Sequence, residues 1–230
     1  MQAAGVPFVV SISCSALFAG VVGIIVGLPA LRLKGIYLAI ATIAFNVIIE
    51  EIIARWDSLT GGNSGKHLKA IDLFGWKMES DGQFYAVCLV LAVLSCLACV
   101  NLLRSPTGRA FVAIRDSEIS AQSMGINLAY YKGLSFALSA AVAGIAGALY
   151  AHKMQFLSPE QFSLIQSVDL LLLVVVGGLG FVHGAFLGAI FLIGLPQAIS
   201  SVKDLLPETL GQAPGLKSVN YGLVLIAFVL

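Results

Sequence analysis

SPTGRAFVAIRDSEISAQSMGIN (residues 105–127) decides how the chain is organised. It is the most polar stretch in a mostly apolar sequence, and uncharged runs lie on both sides of it, at residues 84–103 and 133–151. A membrane helix needs about 20 apolar residues. Each run is therefore long enough to span a bilayer, and the polar stretch between them has to meet something outside it. Its own chemistry predicts two short surface helices. Ser105 can cap a helix that begins at Pro106, because proline lacks the N–H that would be unpaired there. Asp116 or Ser117 can start the second helix, and Gly125 suits its end, where a left-handed residue is often needed. The charges are Arg104, Arg109, Arg115, Asp116 and Glu118. The apolar residues Phe111, Ile114, Ile119 and Met124 make no single stripe, which favours two short pieces over one amphipathic helix. A solvated loop with ordinary basic anchors is the plainer reading of the same residues.

Composition sets the class. The chain has 230 residues, 59% hydrophobic and 11% charged, with mean hydropathy +0.97. Soluble domains are about a quarter charged, and one of this size could not hide so much apolar surface. The expectation is an all-α polytopic membrane protein. A net charge of +1 gives no basis for nucleic-acid binding. Cys88, Cys96 and Cys99 share one uncharged run, and Cys14 lies in another. Inside a membrane helix, Cys96-x-x-Cys99 reads as small apolar packing rather than a redox or zinc pair. The N-terminus lacks the basic region of a signal peptide.

Toward the N-terminus, residues 6–28 form a span. Gly20, Gly23 and Gly27 put small residues on nearby faces that let another helix approach closely. Leu28-Pro29 ends it, and Arg32 and Lys34 follow as an anchor. The run 35–49 is closed by Glu50 and Glu51, and a helix continuing to about Ala54 brings these acids to the far interface. Asn46 is the polar exception within it; it either bonds a neighbouring helix or lines a passage. Residues 55–83 read as a polar loop rich in turn residues, with Trp56 and Trp76 suited to the membrane–water interface. Its TGGNSGKH fails the phosphate-binding pattern G-x-x-x-x-G-K-[ST] twice, with Thr60 in place of the first glycine and His67 in place of the Ser/Thr.

Toward the C-terminus, Ala140, Gly144 and Ala148 repeat at four-residue spacing on the span 133–151, bracketed by Lys132 and His152. Residues 153–168 form a short polar connection. The uncharged run 170–202 is too long for one ordinary span, and GGLGFVHG breaks it into two short membrane segments. Irregular backbone at membrane depth must be buried in protein or face water. His183 has no second ligand in metal-binding spacing. Residues 219–230 start a further span that a dozen residues cannot complete. In all, about six to seven membrane segments are expected, one of them broken or re-entrant, with short helices at 104–128. GVVGIIVGLP (20–29) and LGAIFLIGLP (187–196) form a faint internal echo, as transporter halves do, though chance similarity explains it as readily.

Charge does not set the orientation. With 105–127 inside, the inner side carries Arg32, Lys34, Arg104, Arg109, Arg115 and Lys132. The outer side carries Arg55, Lys66, Lys69, Lys77, Lys153, Lys203 and Lys217, so the positive-inside rule is not met.

The motifs together resemble a known family. LRLKGIYLAIATIAF (31–45), LTGGNSG (59–65), the stretch 105–127, KGLSFALSAAVAGIAGALYAH (132–152), SPEQF (158–162) and VVGGLGFVHGAFLGA (175–189) are similar to LivM-type permease subunits of bacterial branched-chain amino-acid ABC importers. The resemblance covers about residues 20–200. It implies one permease domain over 1–230, partial because further N-terminal helices and the usual C-terminal ending are missing from the match. Ser120 and Gln122 stand where the family often has alanine or an acidic residue.

The implied function is import of leucine, isoleucine or valine across the inner membrane by a multi-pass subunit that is not itself an enzyme and needs no cofactor or metal. Its partners are a second homologous permease subunit, two ATP-binding subunits and a periplasmic substrate-binding protein, all set in the lipid bilayer. The stretch 104–128 becomes the cytoplasmic coupling loop, with Arg109, Arg115, Asp116, Glu118 and Gly125 at the ATPase contact. Tyr37, Thr42 and Asn46 are candidates for the substrate pathway.

Related permeases carry urea, amides or other amino acids, which is one alternative. An ion-coupled secondary transporter is another. Such proteins place ionisable residues at mid-membrane, whereas the spans here are nearly free of them and Asp169 is expected near an end. A membrane-embedded enzyme would need a metal-ligand or nucleophile–base cluster, and none is legible.

Overall fold

The computed structural model describes residues 8–31, 33, 35–67, 72–73, 76–77, 81–178 and 180–203. Five helices in it are long and apolar enough to cross a membrane. In chain order the elements are α1 (Phe8–Ala30), α2 (Ile36–Arg55), α3 (Asp57–Thr60), a 3-10 turn (Gly62–Ser64), β1 (Lys66–His67), β2 (Asp72–Leu73), β3 (Trp76–Lys77) and α4 (Asp81–Arg104). After these come α5 (Pro106–Asp116), α6 (Glu118–Ser123), α7 (Leu128–Met154), β4 (Phe156–Leu157), a second 3-10 turn (Pro159–Phe162), α8 (Leu164–Gly177) and α9 (Val182–Lys203). The chain forms two compact units, Met1–Leu164 and Ile165–Leu230.

The first unit is built on the α1–α7 pair. Lipid tails are as apolar as leucine, so membrane helices associate through close packing and hydrogen bonds rather than hydrophobic burial. Both are present here. A Cβ added at Gly144 of α7 would lie 2.6 Å from the Ala19 Cβ and 2.8 Å from the Ser15 carbonyl oxygen, so only glycine allows this approach. The Ser15 hydroxyl donates to the Gly144 carbonyl at 3.1 Å. Gly20 and Gly23 of α1 face Ala137, Ala140 and Ala141 of α7. The expected small-residue faces of the two helices thus meet each other. Buried Phe8 and Ile12 extend the seam, with Phe84, Val87 and Leu91 of α4 and Ile145, Ala148 and Leu149 of α7 packed around them. His152 is buried with its ring 4.8 Å from that of Phe8.

At one end of this unit two-residue strands tie the loops. β1 pairs antiparallel with β4, Lys66 opposite Leu157 and His67 opposite Phe156, and β2 pairs with β3. Within the expected polar loop after α2, the TGGNSGKH segment forms a 3-10 turn and a short strand. A phosphate-binding loop would open a helix there. Lys153 reaches Asp81 at the start of α4 at 2.7 Å and lies 5.7 Å over the Phe84 ring.

In the second unit α8 ends at Gly177 and α9 begins at Val182, so the break falls within GGLGFVHG. The backbones of Gly177 and Gly184 pack directly against each other. Two expectations change. Lys132 does not bracket a span that starts at Gly133; it lies inside α7, which begins at Leu128 because Asn127 caps it. Asp169 does not sit near an end, because the candidate span runs Pro159–Gly177 and places it well inside. The expected segment at 219–230 and the anchors Arg32 and Lys34 lie outside the described residues.

Candidate functional site

Residues 105–127 form a hairpin of two short helices whose N-termini are capped by side chains. The Ser105 hydroxyl donates to the Leu102 carbonyl at 2.6 Å and accepts from the Gly108 N–H at 3.3 Å, with Pro106 as the first residue of α5. Ser117 caps α6 by accepting from the Ser120 N–H at 3.2 Å. At the far end of α6 the Gly125 N–H bonds the Gln122 carbonyl at 3.0 Å and the Ile126 N–H bonds the Ala121 carbonyl at 3.1 Å. This paired closure needs a left-handed residue, and Gly125 supplies it with φ +84°. Asn127 then caps α7 by accepting from the Tyr130 N–H at 3.2 Å.

The hairpin is also fastened to α7. Ala110, Ile114 and Ala121 are buried, Ala121 to 1% exposure. The Phe111 ring meets Tyr131 edge to face, centroids 6.1 Å apart. Lys132 of α7 binds Glu118 at 2.7 Å, their side chains 22% and 32% exposed. Glu118 is thus turned inward as a fastening group. Arg109 is exposed, and Arg115 lies 3.4 Å from Asp116 with both open to the surroundings. Ile119 and Met124 are also exposed, at 78% and 81%. The exposed residues of the hairpin thus include two arginines, one aspartate and two large apolar side chains.

A second feature lies at the other end of α7, in the same unit. A cavity of about 360 Å³ opens beside α2, lined by Asn46, Ile49, Glu50 and Ile53 on one helical face. Thr60 and Lys66 come from the loop after α2, and Leu157, Ser158, Pro159 and Phe162 from the segment after α7. The Thr60 hydroxyl donates to the Ile53 or Trp56 carbonyl, each 2.7 Å away, and accepts from the Gly62 N–H at 3.2 Å. It fixes the loop to the helix end. The Asn46 amide nitrogen and the Gln161 side-chain oxygen are buried with no hydrogen-bond partner among the described residues.

The three pathway candidates separate here. Asn46 faces the cavity. Thr42 is bonded within its own helix, to the Ala39 carbonyl at 2.8 Å, and Tyr37 is exposed on the first turn of α2. Glu50 was missed by the sequence reading, although its four-residue spacing from Asn46 puts both on one helix face. Glu51 and Arg55, on another face, pair with each other.

A family model described as the branched-chain amino acid transport system / permease component matches residues 1–229. The high-affinity branched-chain amino acid transport system permease protein LivM of Escherichia coli (strain K12) is 34% identical over 82% of this chain and 50% of its own length. The probable branched-chain amino acid transport permease protein LivH of Methanocaldococcus jannaschii is 31% identical over 78% of this chain and 60% of its own. The E. coli LivH permease protein is 26% identical over 75% of this chain and 57% of its own. The chain thus spans about half the length of the curated LivM relatives it matches. No solved structure matches it.

Proposed function

Because the chain belongs to the branched-chain amino acid transport permease family, we propose that it acts as a membrane-spanning subunit of an ATP-driven importer of leucine, isoleucine or valine in the bacterial plasma membrane. The relatives are transport permease proteins, not enzymes. The chemistry of ATP hydrolysis belongs to two separate ATP-binding subunits, and substrate arrives on a periplasmic binding protein. A second, homologous permease subunit completes the pathway.

One observation carries this reading: a polar hairpin, capped at both helices and ion-paired to α7, held between two span-length helices. A partner's movement reaches membrane helices only through an element that moves as a body, since packed cores switch between discrete arrangements rather than deform continuously. Arg109, Arg115 and Asp116 supply charge complementarity to the ATP-binding subunit, and Ile119 and Met124 supply apolar contact. Glu118 and Gly125 hold the shape that presents them.

The test is affinity co-purification of the full-length permease in mild detergent. The ATP-binding subunits are expected to co-elute with the wild type and to be lost when residues 105–127 are replaced by a Gly/Ser linker. A permease that purifies alone and moves solute without ATP would overturn the reading.

A further inference from the structure

We propose that the cavity beside α2 is a transit site for the amino-acid substrate, in which Glu50 receives the α-ammonium group and Asn46 the α-carboxylate. The proposal rests on the permease reading above and adds the site.

The position comes from the helix. α2 runs Ile36–Arg55, so at 1.5 Å per residue Asn46 stands about 15 Å from one end and about 13 Å from the other. That is the middle of a bilayer whose apolar core is about 30 Å thick. Glu50 lies one turn further along the same face. Glu50 is thus about 8 Å from the Arg55 end of the helix, and ionisable groups within a span are costly and persist where they face a cavity or a partner.

The chemistry comes from the lining. A free amino acid with an apolar side chain offers a cation, an anion and a hydrocarbon body. The cavity has a carboxylate in Glu50, an amide donor in Asn46, and apolar wall from Ile49, Ile53, Leu157 and Phe162. Lys66 adds a positive charge at the wall. The Asn46 amide nitrogen is buried without a partner among the described residues. A buried donor left unpaired is unfavourable, and a rotation of the Asn46 side chain toward the cavity would let a substrate carboxylate oxygen satisfy it with a charge-assisted bond. A volume of about 360 Å³ falls in the range of small-molecule pockets, which also combine mainly apolar walls with a few placed polar groups.

The experiment uses the full-length transporter with its partner subunits, reconstituted in proteoliposomes and supplied with its binding protein. ATP-driven uptake of labelled leucine is measured for the wild type, Asn46→Ala, Glu50→Gln and Glu51→Gln. The first two variants should each lose at least tenfold in uptake while the ATP-binding subunits still co-elute in full. Glu51→Gln, on another face of the same helix, should stay within twofold of wild type. Uptake within twofold in both cavity variants overturns the transit site and leaves the permease reading standing. A wild-type complex that assembles yet imports no amino acid overturns both. If a cavity variant does not assemble, Ile53→Phe decides instead. Narrowing the apolar wall should lower leucine uptake relative to valine at least threefold, and an unchanged ratio counts against the site.

Discussion

The hairpin at one end of α7 and the cavity beyond its other end are built on opposite terms. In the hairpin the helix ends are closed by hydroxyl, amide or backbone partners, and the charge nearest the interior, Glu118, is paired with Lys132. Beside the cavity, two buried polar atoms, on Asn46 and Gln161, have no partner among the described residues. A satisfied polar network stiffens a segment and specifies one shape. The unpartnered amide of Asn46 is what the transit-site proposal uses. On the two proposals above, the regions suit different tasks, transmitting movement and holding a passenger.

Three experiments break or sharpen that contrast. The largest effect is expected from Gly144→Leu. It drives a side chain into Ser15 and Ala19 and should cost about 1–3 kcal/mol as overpacking. Because α7 serves both regions, thermal unfolding in detergent should shift downward, and both leucine uptake and partner co-elution should fall. Loss of only one would show that the regions do not share this seam.

Gly125→Val acts on the hairpin alone. Forcing a β-branched residue to φ +84° should cost about 1–2 kcal/mol. ATP hydrolysis by the assembled complex should become poorly coupled to uptake, measured as leucine imported per ATP consumed, with substrate affinity unchanged. An altered leucine KM with normal coupling would argue that the hairpin shapes the cavity.

The smallest effect belongs to the Glu118–Lys132 pair. Its side chains are about a quarter exposed, and pairs near a surface contribute about 0.2–1 kcal/mol. A double-mutant cycle with Glu118→Gln and Lys132→Met, read by protection of α6 amides from hydrogen exchange, should give a coupling energy in that range. It should shrink with added salt. Additive single effects would remove the fastening role assigned here.

What the sequence made legible follows from how local the interactions are. The caps at Ser105 and Ser117 and the turn at Gly125 depend on residues within a few positions of each other. Their types state their geometry, and the structure has them as the spacing predicts. The glycine faces of α1 and α7 were legible because close membrane packing selects small residues at helical spacing.

The cavity was not legible. Its walls come from 46–53, 60–66 and 157–162, and a two-residue strand pair brings the last two together. Two residues of β-ladder leave no periodicity to detect. Asp169 was misplaced for a related reason. SPEQF reads as a loop, yet it forms a 3-10 turn that leads almost directly into α8 and lengthens the apolar segment at its front. The roles proposed for Arg109, Arg115 and Asp116 rest on the family alone, since exposed charges on a short helix look alike in any protein.

The left-handed corner at Gln155 has a mechanical consequence. Its N–H closes onto the Ala151 carbonyl at 3.1 Å, with φ +55°, and two residues later Leu157 stands in the cavity wall, paired across the strand to Lys66. α7 is 27 residues long, a rod of about 40 Å, with the hairpin bolted to its first turns and this corner welded to its last. On the two proposals above, a shift of one helical residue, about 1.5 Å, imposed on this rod at the hairpin end would be carried to the Leu157 side of the cavity, and the room beside Asn46 would change with it.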